Sequence, residues 1–205
     1  NPLTDYTPII ATTIGATILV VRADNPARNV NDLIAYAKAN PGKVAYSSNG
    51  IGAAGHLNGE LLAIKTGTDL VHVPYKGNAP ALAAVLSGDT TFSFLGVTES
   101  RELIAAGKLR VLAVGSSRPH PAFPEVPTIT QAAGIPSWDS NGIWFALEGP
   151  PNLPKPVVDR LVAAMNKVME QEQLLKFFND VGYQILKEGP EDLARRVQRE
   201  NAMWK

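Results

Sequence analysis

The sequence predicts an α/β protein built on a largely parallel sheet. Short apolar runs rich in β-branched residues alternate with longer segments whose apolar residues recur at helical spacing, and glycine or proline separates most of these segments. Such alternation is typical of parallel strands, because each parallel connection needs a crossover that is usually a helix. At 205 residues and 45% apolar content, the chain can bury one sizeable core or two small ones.

Residues 18–114 alternate predicted strands with predicted helices. The strands are expected where apolar and β-branched residues cluster, at 18–21, 44–48, 70–74, 91–95 and 109–114. The helices are expected to begin near Asn31, after the glycine-rich turn at 49–55, at Asn78 as a capping residue, and at residue 99. Glycine and proline commonly end helices, which places the four helix ends at Pro41, Gly67, Gly88 and Gly107.

Prolines become frequent after Ser116 and mark a change in the organisation of the chain. Residues 117–136 contain only one brief helical signal, which predicts a crossover or hinge region. Beyond it we expect, in order, a strand at 142–147, a helix after Pro156, a helix around 174–178, a strand at 183–186 and a last helix from Pro190. This tail has few strands for its helices, which predicts that it is part of a second lobe.

A glycine-rich turn between a strand and a helix is the best functional clue in the sequence. Residues 44–56 run from a short strand into a turn containing Gly50, Gly52 and Gly55 and then into a helix. Such a turn brings several backbone N–H groups beside the positive end of the helix dipole, so it can hold a phosphate, carboxylate or sulfate without a basic side chain. The pattern predicts an anion site without naming the anion.

The same three glycines match the dinucleotide fingerprint G-x-G-x-x-G, with the acidic Asp69 at about the required distance. We reject this interpretation, because the acidic residue of a Rossmann unit ends the second strand, whereas Asp69 precedes it. The predicted second strand ends instead at Tyr75 and Lys76, a phenol and a cation that suit a negatively charged ligand. No cofactor is therefore expected.

Composition excludes several classes of function. The 19 basic and 19 acidic residues balance, which leaves no electrostatic footprint for nucleic acid. The chain has no cysteine, so thiol catalysis, disulfides and cysteine-ligated metal sites are excluded. An α/β enzyme, hydrolytic or nucleotide-dependent, is the alternative function, with the turn at 50–55 binding phosphate or an oxyanion. The chain lacks a G-x-S-x-G elbow and an H-E-x-x-H cluster, which favours a function without catalysis.

Five motifs follow one another along the chain. They read YSSNGIG with HL at 46–57, VPYKG at 73–77, AGKLR at 106–110 and PEVPT at 124–128, before Trp144 with Pro150 and Pro154. In this order they resemble the Bug family, the substrate-binding proteins of tripartite tricarboxylate transporters. The resemblance implies a flytrap of the periplasmic binding protein type II kind that closes over a small carboxylate, namely a di- or tricarboxylate, an acidic amino acid or an aromatic acid. It also implies a periplasmic receptor, whose signal peptide is not in this chain, that delivers its ligand to membrane permease subunits.

The resemblance further predicts how the chain is organised. Residues 5–9 resemble a segment that normally lies well inside the family's mature proteins, so the N-terminal part of domain 1 is expected to be absent. Residues 10–120 are expected to form the complete ligand-binding lobe, domain 2. Residues 1–9 and 121–205 are expected to form the hinge segments and the C-terminal part of domain 1. With domain 1 incomplete, weak ligand binding and self-association are predicted.

The predicted ligand-binding residues belong to the turn and to the end of the next strand. They are Ser47, Ser48, Asn49, Gly50, Gly52, Ala53, His56, Tyr75 and Lys76. The hydroxyls of Ser47 and Ser48 and the N–H groups of Gly52 and Ala53 are expected to donate to one carboxylate. Structural interpretations stay open, since the polar residues of the turn could cap the helix, His56 could serve packing, and Tyr75 and Lys76 could only cover the strand end.

Overall fold

The structure, a computed structural model, describes residues 1–120, 122–138 and 142–204. The chain divides into unit 1, which comprises Asn1–Gly15 and Trp144–Lys205, and unit 2, which comprises Ala16–Ile143. The strands are β1 (Thr7–Gly15), β2 (Thr17–Arg22), β3 (Val44–Ser48), β4 (Leu70–Pro74), β5 (Phe92–Gly96), β6 (Leu109–Val114), β7 (Ile143–Gly149) and β8 (Tyr183–Glu188). The helices are α1 (Val30–Ala39), α2 (Ala54–Thr66), α3 (Asn78–Ser87), α4 (Val97–Ala105), α5 (Ile129–Ala133), α6 (Lys155–Met169), α7 (Glu172–Asp180) and α8 (Pro190–Met203).

Unit 2 contains a five-stranded sheet in the order β4-β3-β5-β2-β6. β3 pairs in parallel with β4 and β5, whereas β2 pairs antiparallel with β5 and β6. Four strands therefore point one way and β2 points the other way. The α/β class is confirmed, but the sheet is mixed, with two parallel and two antiparallel strand pairs, whereas a largely parallel sheet was predicted. The reversed direction of β2 has no signal in the sequence, because an apolar run is the same in either direction.

β2 is covered on both faces. Leu19 and Val21 belong to the core cluster that includes residues of α1 and α2, while Ile18 and Val20 belong to the cluster that includes residues of α3 and α4. Successive strand residues point to opposite faces, so coverage on both sides favours apolar residues at consecutive positions, here at 18–21. This double coverage explains the uninterrupted apolar run from which the strand was predicted.

Unit 1 contains a three-stranded sheet in the order β7-β1-β8. β1 pairs antiparallel with β8, and its Ile9 and Ile10 pack with Met169 in a small core. β1 has no counterpart among the strands predicted from the sequence, since threonine and proline interrupt its apolar residues. Unit 1 also contains polar side-chain contacts. Arg196 donates to both carboxylate oxygens of Glu188, and Trp144 Nε1 donates to Glu200 Oε2 at 2.8 Å.

The boundaries of the units differ from those expected near residues 10 and 120. The chain divides after Gly15 and after Ile143. The second boundary lies later because α5 and the residues that follow it pack into unit 2, where Ile129, Ile135 and Trp138 are buried in the cluster of α1 and α2. The brief helical signal between 117 and 136 corresponds to α5. Within the described ranges, no helix has both the length and the apolar content needed to cross a membrane.

Asn78 is not the cap of α3, so that prediction is wrong. Gly77 occupies the capping position, and Asn78 is the first residue of the helix. Its Nδ2 donates to Glu99 Oε1 at 2.6 Å, which links the start of α3 to the start of α4. The sequence could not show this use of Asn78, because Glu99 lies on another helix.

Candidate functional site

Three helices begin at one edge of the unit 2 sheet. β4, β3 and β5 are neighbours, point in the same direction and are followed by α3, α2 and α4 respectively. The N-termini of these helices therefore converge at the edge formed by the carboxyl ends of the strands. Each helix N-terminus carries about half a positive elementary charge and a set of unpaired N–H groups. We call this place the anion edge.

No side chain caps any of the three helices at the anion edge. The capping residues are Ala53 for α2, Gly77 for α3 and Gly96 for α4, and none makes a side-chain capping hydrogen bond within the described part of the chain. By contrast, Asn29 caps α1 and Thr128 caps α5 in the same unit. Helices of unit 1 also lack such caps, so the convergence of three uncapped termini, and not a missing cap alone, distinguishes the anion edge.

The turn between β3 and α2 uses its three glycines for two different reasons. Gly50 has φ 141° and Gly52 has φ 78°, a backbone region that side chains rarely adopt. Gly55 has ordinary helical geometry, but a Cβ atom there would lie 2.8 Å from the backbone oxygen of Phe94. The absence of a side chain at Gly55 therefore lets α2 start directly against β5.

The first turn of α2 presents unused donors. Among the described residues, the N–H groups of Ala54, Gly55 and His56 donate to no backbone or side-chain acceptor. The side chain of Asn49 lies against this turn, with its Oδ1 3.4 Å from the position of a Cβ on Gly55. Three N–H groups at a helix start match the requirements of a carboxylate or phosphate oxygen pair.

The donors predicted from the sequence are, in contrast, already used within the chain. Ser47 is fully buried in β3, and its hydroxyl donates to the backbone oxygen of Ala81 at 2.9 Å. The N–H of Gly52 donates to His56 Nδ1 at 3.1 Å, and the N–H of Ala53 donates to the backbone oxygen of Gly50 at 3.2 Å. The expected donors therefore have partners within the chain, and the N–H groups without a partner among the described residues are those of the next three residues, Ala54, Gly55 and His56.

The hydroxyl of Ser48 also has hydrogen-bond partners within the chain. Its hydroxyl donates to the backbone oxygen of Gly50 at 3.1 Å and lies 2.6 Å from His72 Nε2. This spacing is that of a nucleophile and its base, but Ser48 has no exposed surface, so a substrate cannot reach the hydroxyl. The pair joins Ser48 at the end of β3 to His72 in β4, and its burial gives it a structural role.

A cluster of aromatic and histidine side chains packs next to the turn. Tyr46 stacks on His72 and on Phe92, with ring centroids 5.0 and 5.4 Å apart, and the rings of His56 and His72 lie 4.1 Å apart. The Tyr46 hydroxyl donates to Glu60 Oε1 at 2.7 Å, and burial followed by this hydrogen bond raises the pKa of Tyr46. Burial, followed by the neighbouring His56, lowers the pKa of His72. His56 thus has the structural role that the sequence left open, since its ring accepts from Gly52.

Tyr75 and Lys76 follow β4 and lie beside the turn. The N–H of Tyr75 donates to the backbone oxygen of Ser48 at 2.9 Å, which joins the ends of β4 and β3. The ring of Tyr75 is half-buried against the cluster of α3 and α4, so much of it serves packing. Lys76 is exposed. Within the described part of the chain, no group of His, Asp and Glu residues could hold a metal ion.

Comparison with known proteins identifies the fold. The chain matches the family described as "Tripartite tricarboxylate transporter family receptor" over residues 1–205. A protein of Pseudomonas sp. strain P51, described as "UPF0065 protein in tcbD-tcbE intergenic region", is 34% identical over 200 residues, which are 98% of this chain and 59% of that protein. A solved R. palustris protein with adipate is 31% identical with a TM-score of 0.89, covering 100% of this chain and 68% of that one. The periplasmic binding protein BugD is 30% identical with a TM-score of 0.87, at 100% and 68% coverage.

The chain thus spans less than two thirds of the length of the Pseudomonas relative. The matching family is described as a receptor and BugD as a periplasmic binding protein, which removes the support for the enzyme alternative. The resemblance read from the five motifs is confirmed, and the fold is that of the solved Bug proteins. The chain belongs to the tripartite tricarboxylate transporter receptor family.

Proposed function

We propose that this chain is the greater part of a solute-binding receptor for a small dicarboxylate, and that one carboxylate binds at the anion edge. The N–H groups of Ala54, Gly55 and His56 donate to this carboxylate, and Asn49 borders it. The observation that carries the proposal is the convergence of the uncapped starts of α2, α3 and α4 at one sheet edge. The adipate in the R. palustris relative supports a dicarboxylate as the ligand.

Three hydrogen bonds to one carboxylate supply much of the binding free energy that a receptor needs. Hydrogen bonds to a charged partner contribute roughly 1.5–3 kcal/mol each, so three give about 4.5–9 kcal/mol before the cost of association. A micromolar dissociation constant corresponds to about 8 kcal/mol. One carboxylate at the anion edge therefore supplies a large share of the required free energy, and the rest of the ligand must supply the remainder.

The wider assignments follow from family membership. We place the receptor in the periplasm and take the membrane permease subunits of a tripartite transporter as its partners, as in the family whose description the chain matches. Unit 2 takes the role of the ligand-binding lobe that the sequence placed at 10–120. Unit 1, Asn1–Gly15 and Trp144–Lys205, takes the role of the hinge segments and the part of domain 1 that the sequence placed at 1–9 and 121–205.

Isothermal titration calorimetry of the chain with adipate tests the proposal. The matched control is hexane-1,6-diol, which has the same carbon chain and no carboxylate. We expect adipate to bind and the diol to produce no heat beyond dilution. A panel of succinate, malate, glutarate and citrate extends the test to the ligand class. If no acid of the panel binds, or if the diol binds as well as adipate, the carboxylate assignment is wrong.

A further inference from the structure

A pocket lies at the edge of the unit 2 sheet opposite the anion edge. It has a volume of about 330 Å³, and its wall includes Arg22, Ala27, Asp32, Tyr36, Val85 and Thr90. Arg22 ends β2 and pairs with Leu109, the first residue of β6, whereas the anion edge is formed by the last residues of the strands. A five-residue strand such as β5 is about 16 Å long, so the two sites are separated by the length of the sheet.

One wall of this pocket is held rigidly. The loop between β2 and α1 forms that wall, and the guanidinium of Arg110 donates to the backbone oxygens of Asn25 at 3.0 Å, of Ala27 at 3.1 Å and of Ala23. Three hydrogen bonds from one planar group fix the loop against β6. The pocket is therefore preformed, as ligand sites usually are.

The interior and the rim of the pocket differ in chemistry. Ala27, Val85 and Thr90 are buried and form the interior. Thr90 is 3% exposed, and its hydroxyl has no hydrogen-bond partner among the described residues. Asp32 and Tyr36 are exposed and form the rim together with the half-buried Arg22. A small, mainly apolar interior thus lies beneath a charged rim.

The two charges of the rim are not paired with each other. Arg22 Nε donates to Asp24 Oδ1, and one Asp32 oxygen accepts the N–H of Arg28 at 2.8 Å. Within the described residues, no ion pair joins Arg22 to Asp32, and neither Arg22 Nη2 nor Asp32 Oδ1 has a partner. A cation and an anion on one rim, apart from each other and above an apolar interior, complement a zwitterion with a short aliphatic side chain.

We propose that this pocket binds a small aliphatic α-amino acid. Its carboxylate accepts from Arg22, its ammonium group donates to Asp32, and its side chain enters the interior between Ala27 and Val85. A simple carboxylate would leave Asp32 unmatched, and an amine would leave Arg22 unmatched. The pocket therefore discriminates against the acids that bind at the anion edge.

Calorimetric titration of the chain with L-valine tests this proposal. The controls are 3-methylbutanoate, which is valine without the amino group, and 2-methylpropylamine, which is valine without the carboxylate. We expect L-valine to bind and both controls to bind at least about tenfold more weakly, the effect of one lost charge-assisted hydrogen bond. Asp32→Asn and Arg22→Gln should each weaken L-valine binding by a similar factor. Asp159→Asn, an exposed carboxylate of unit 1, should leave it unchanged.

Adipate titration of the same variants separates this proposal from the proposed function. Asp32→Asn and Arg22→Gln should leave adipate binding unchanged, because neither residue lies at the anion edge. The proposal is overturned if L-valine does not bind, if 3-methylbutanoate binds equally well, or if L-valine binding survives both substitutions. Folding of each variant is checked by its thermal melting, so that lost binding is read only from folded protein.

Discussion

Replacing Ala53 with aspartate should make the protein more stable and at the same time lower its affinity for dicarboxylates. Ala53 is the capping residue of α2, with φ −72° and ψ 161°, an extended geometry in which an aspartate side chain accepts from the second or third N–H of the helix. These are the N–H groups of Gly55 and His56. Asn29 already does this at α1, where its side chain accepts from the N–H of Asp32 at 2.9 Å.

The two expected effects have opposite signs and can each be estimated. An aspartate cap in place of alanine stabilises a helix by about 0.5–2 kcal/mol, and the helix dipole favours the added negative charge. The ligand loses at least one charge-assisted hydrogen bond of roughly 1.5–3 kcal/mol, which corresponds to about a tenfold to hundredfold loss of affinity. Repulsion between the new carboxylate and that of the ligand increases the loss.

Urea denaturation measures the free energy of unfolding, and calorimetry with adipate measures the affinity. Ala53→Ser is the matched control, because serine caps the helix without a charge and should stabilise the protein with a smaller loss of binding. If Ala53→Asp stabilises the protein and leaves the adipate affinity intact, the ligand does not use the start of α2. If Ala53→Asp destabilises the protein, the capping geometry assigned to this residue is wrong.

Three further predictions concern charge, packing and pH. Glu99→Gln should raise the affinity for adipate about two- to fivefold at low salt, because a carboxylate at the start of α4 repels a second anion at the anion edge. Glu102→Gln, on the same helix, is the control for this calorimetric measurement. Gly59→Ala should lower the free energy of unfolding, measured by urea denaturation, by about 1–3 kcal/mol, because the new Cβ would lie 2.1 Å from the ring of the buried Tyr46. This loss should exceed the gain from the higher helix propensity of alanine. An unchanged or higher free energy of unfolding would contradict this packing. The lowered pKa of His72 means that, as the pH falls, the unfolded chain binds a proton before the folded chain does. The free energy of unfolding should therefore fall as the pH drops below 6.5 toward the lower pKa of the folded state, and His72→Gln should flatten this part of the plot of melting temperature against pH. Identical plots for the two proteins would refute the lowered pKa of His72.

The alternation of strands and helices in unit 2 was predictable because both faces of its sheet are covered. The central residues of β2, 18–21, are accordingly all apolar, and the helices carry an apolar stripe and a terminating glycine such as Gly67 or Gly88. The direction of β2 was not predictable, because strand direction depends on pairing partners. β1 was missed for a related reason, since Ile9 and Ile10 are buried only through contacts with residues far along the chain.

The position of the candidate site was predictable, but its donors were not. Glycine at positions 50, 52 and 55 indicates a turn with unusual backbone geometry, and two of these residues do have positive φ. The hydrogen bond from the Ser47 hydroxyl to the backbone oxygen of Ala81 forms because this side of β3 faces α3. The hydrogen bond from the N–H of Gly52 to His56 Nδ1 depends on the rotamer of the histidine side chain. Such contacts are fixed by tertiary packing, which a single sequence does not contain.

Recognition by main-chain N–H groups separates binding strength from selectivity. In the proposed site, the N–H groups at the start of α2 donate only to the two oxygens of a carboxylate, so they do not distinguish one carboxylate from another. Discrimination must therefore come from the groups on either side of the turn. β3 lies between β4, which leads to the cationic Lys76, and β5, which leads to the anionic Glu99. We expect this asymmetry to orient a dicarboxylate with its second carboxylate on the side of Lys76, because the opposite orientation would bring it toward the carboxylate of Glu99.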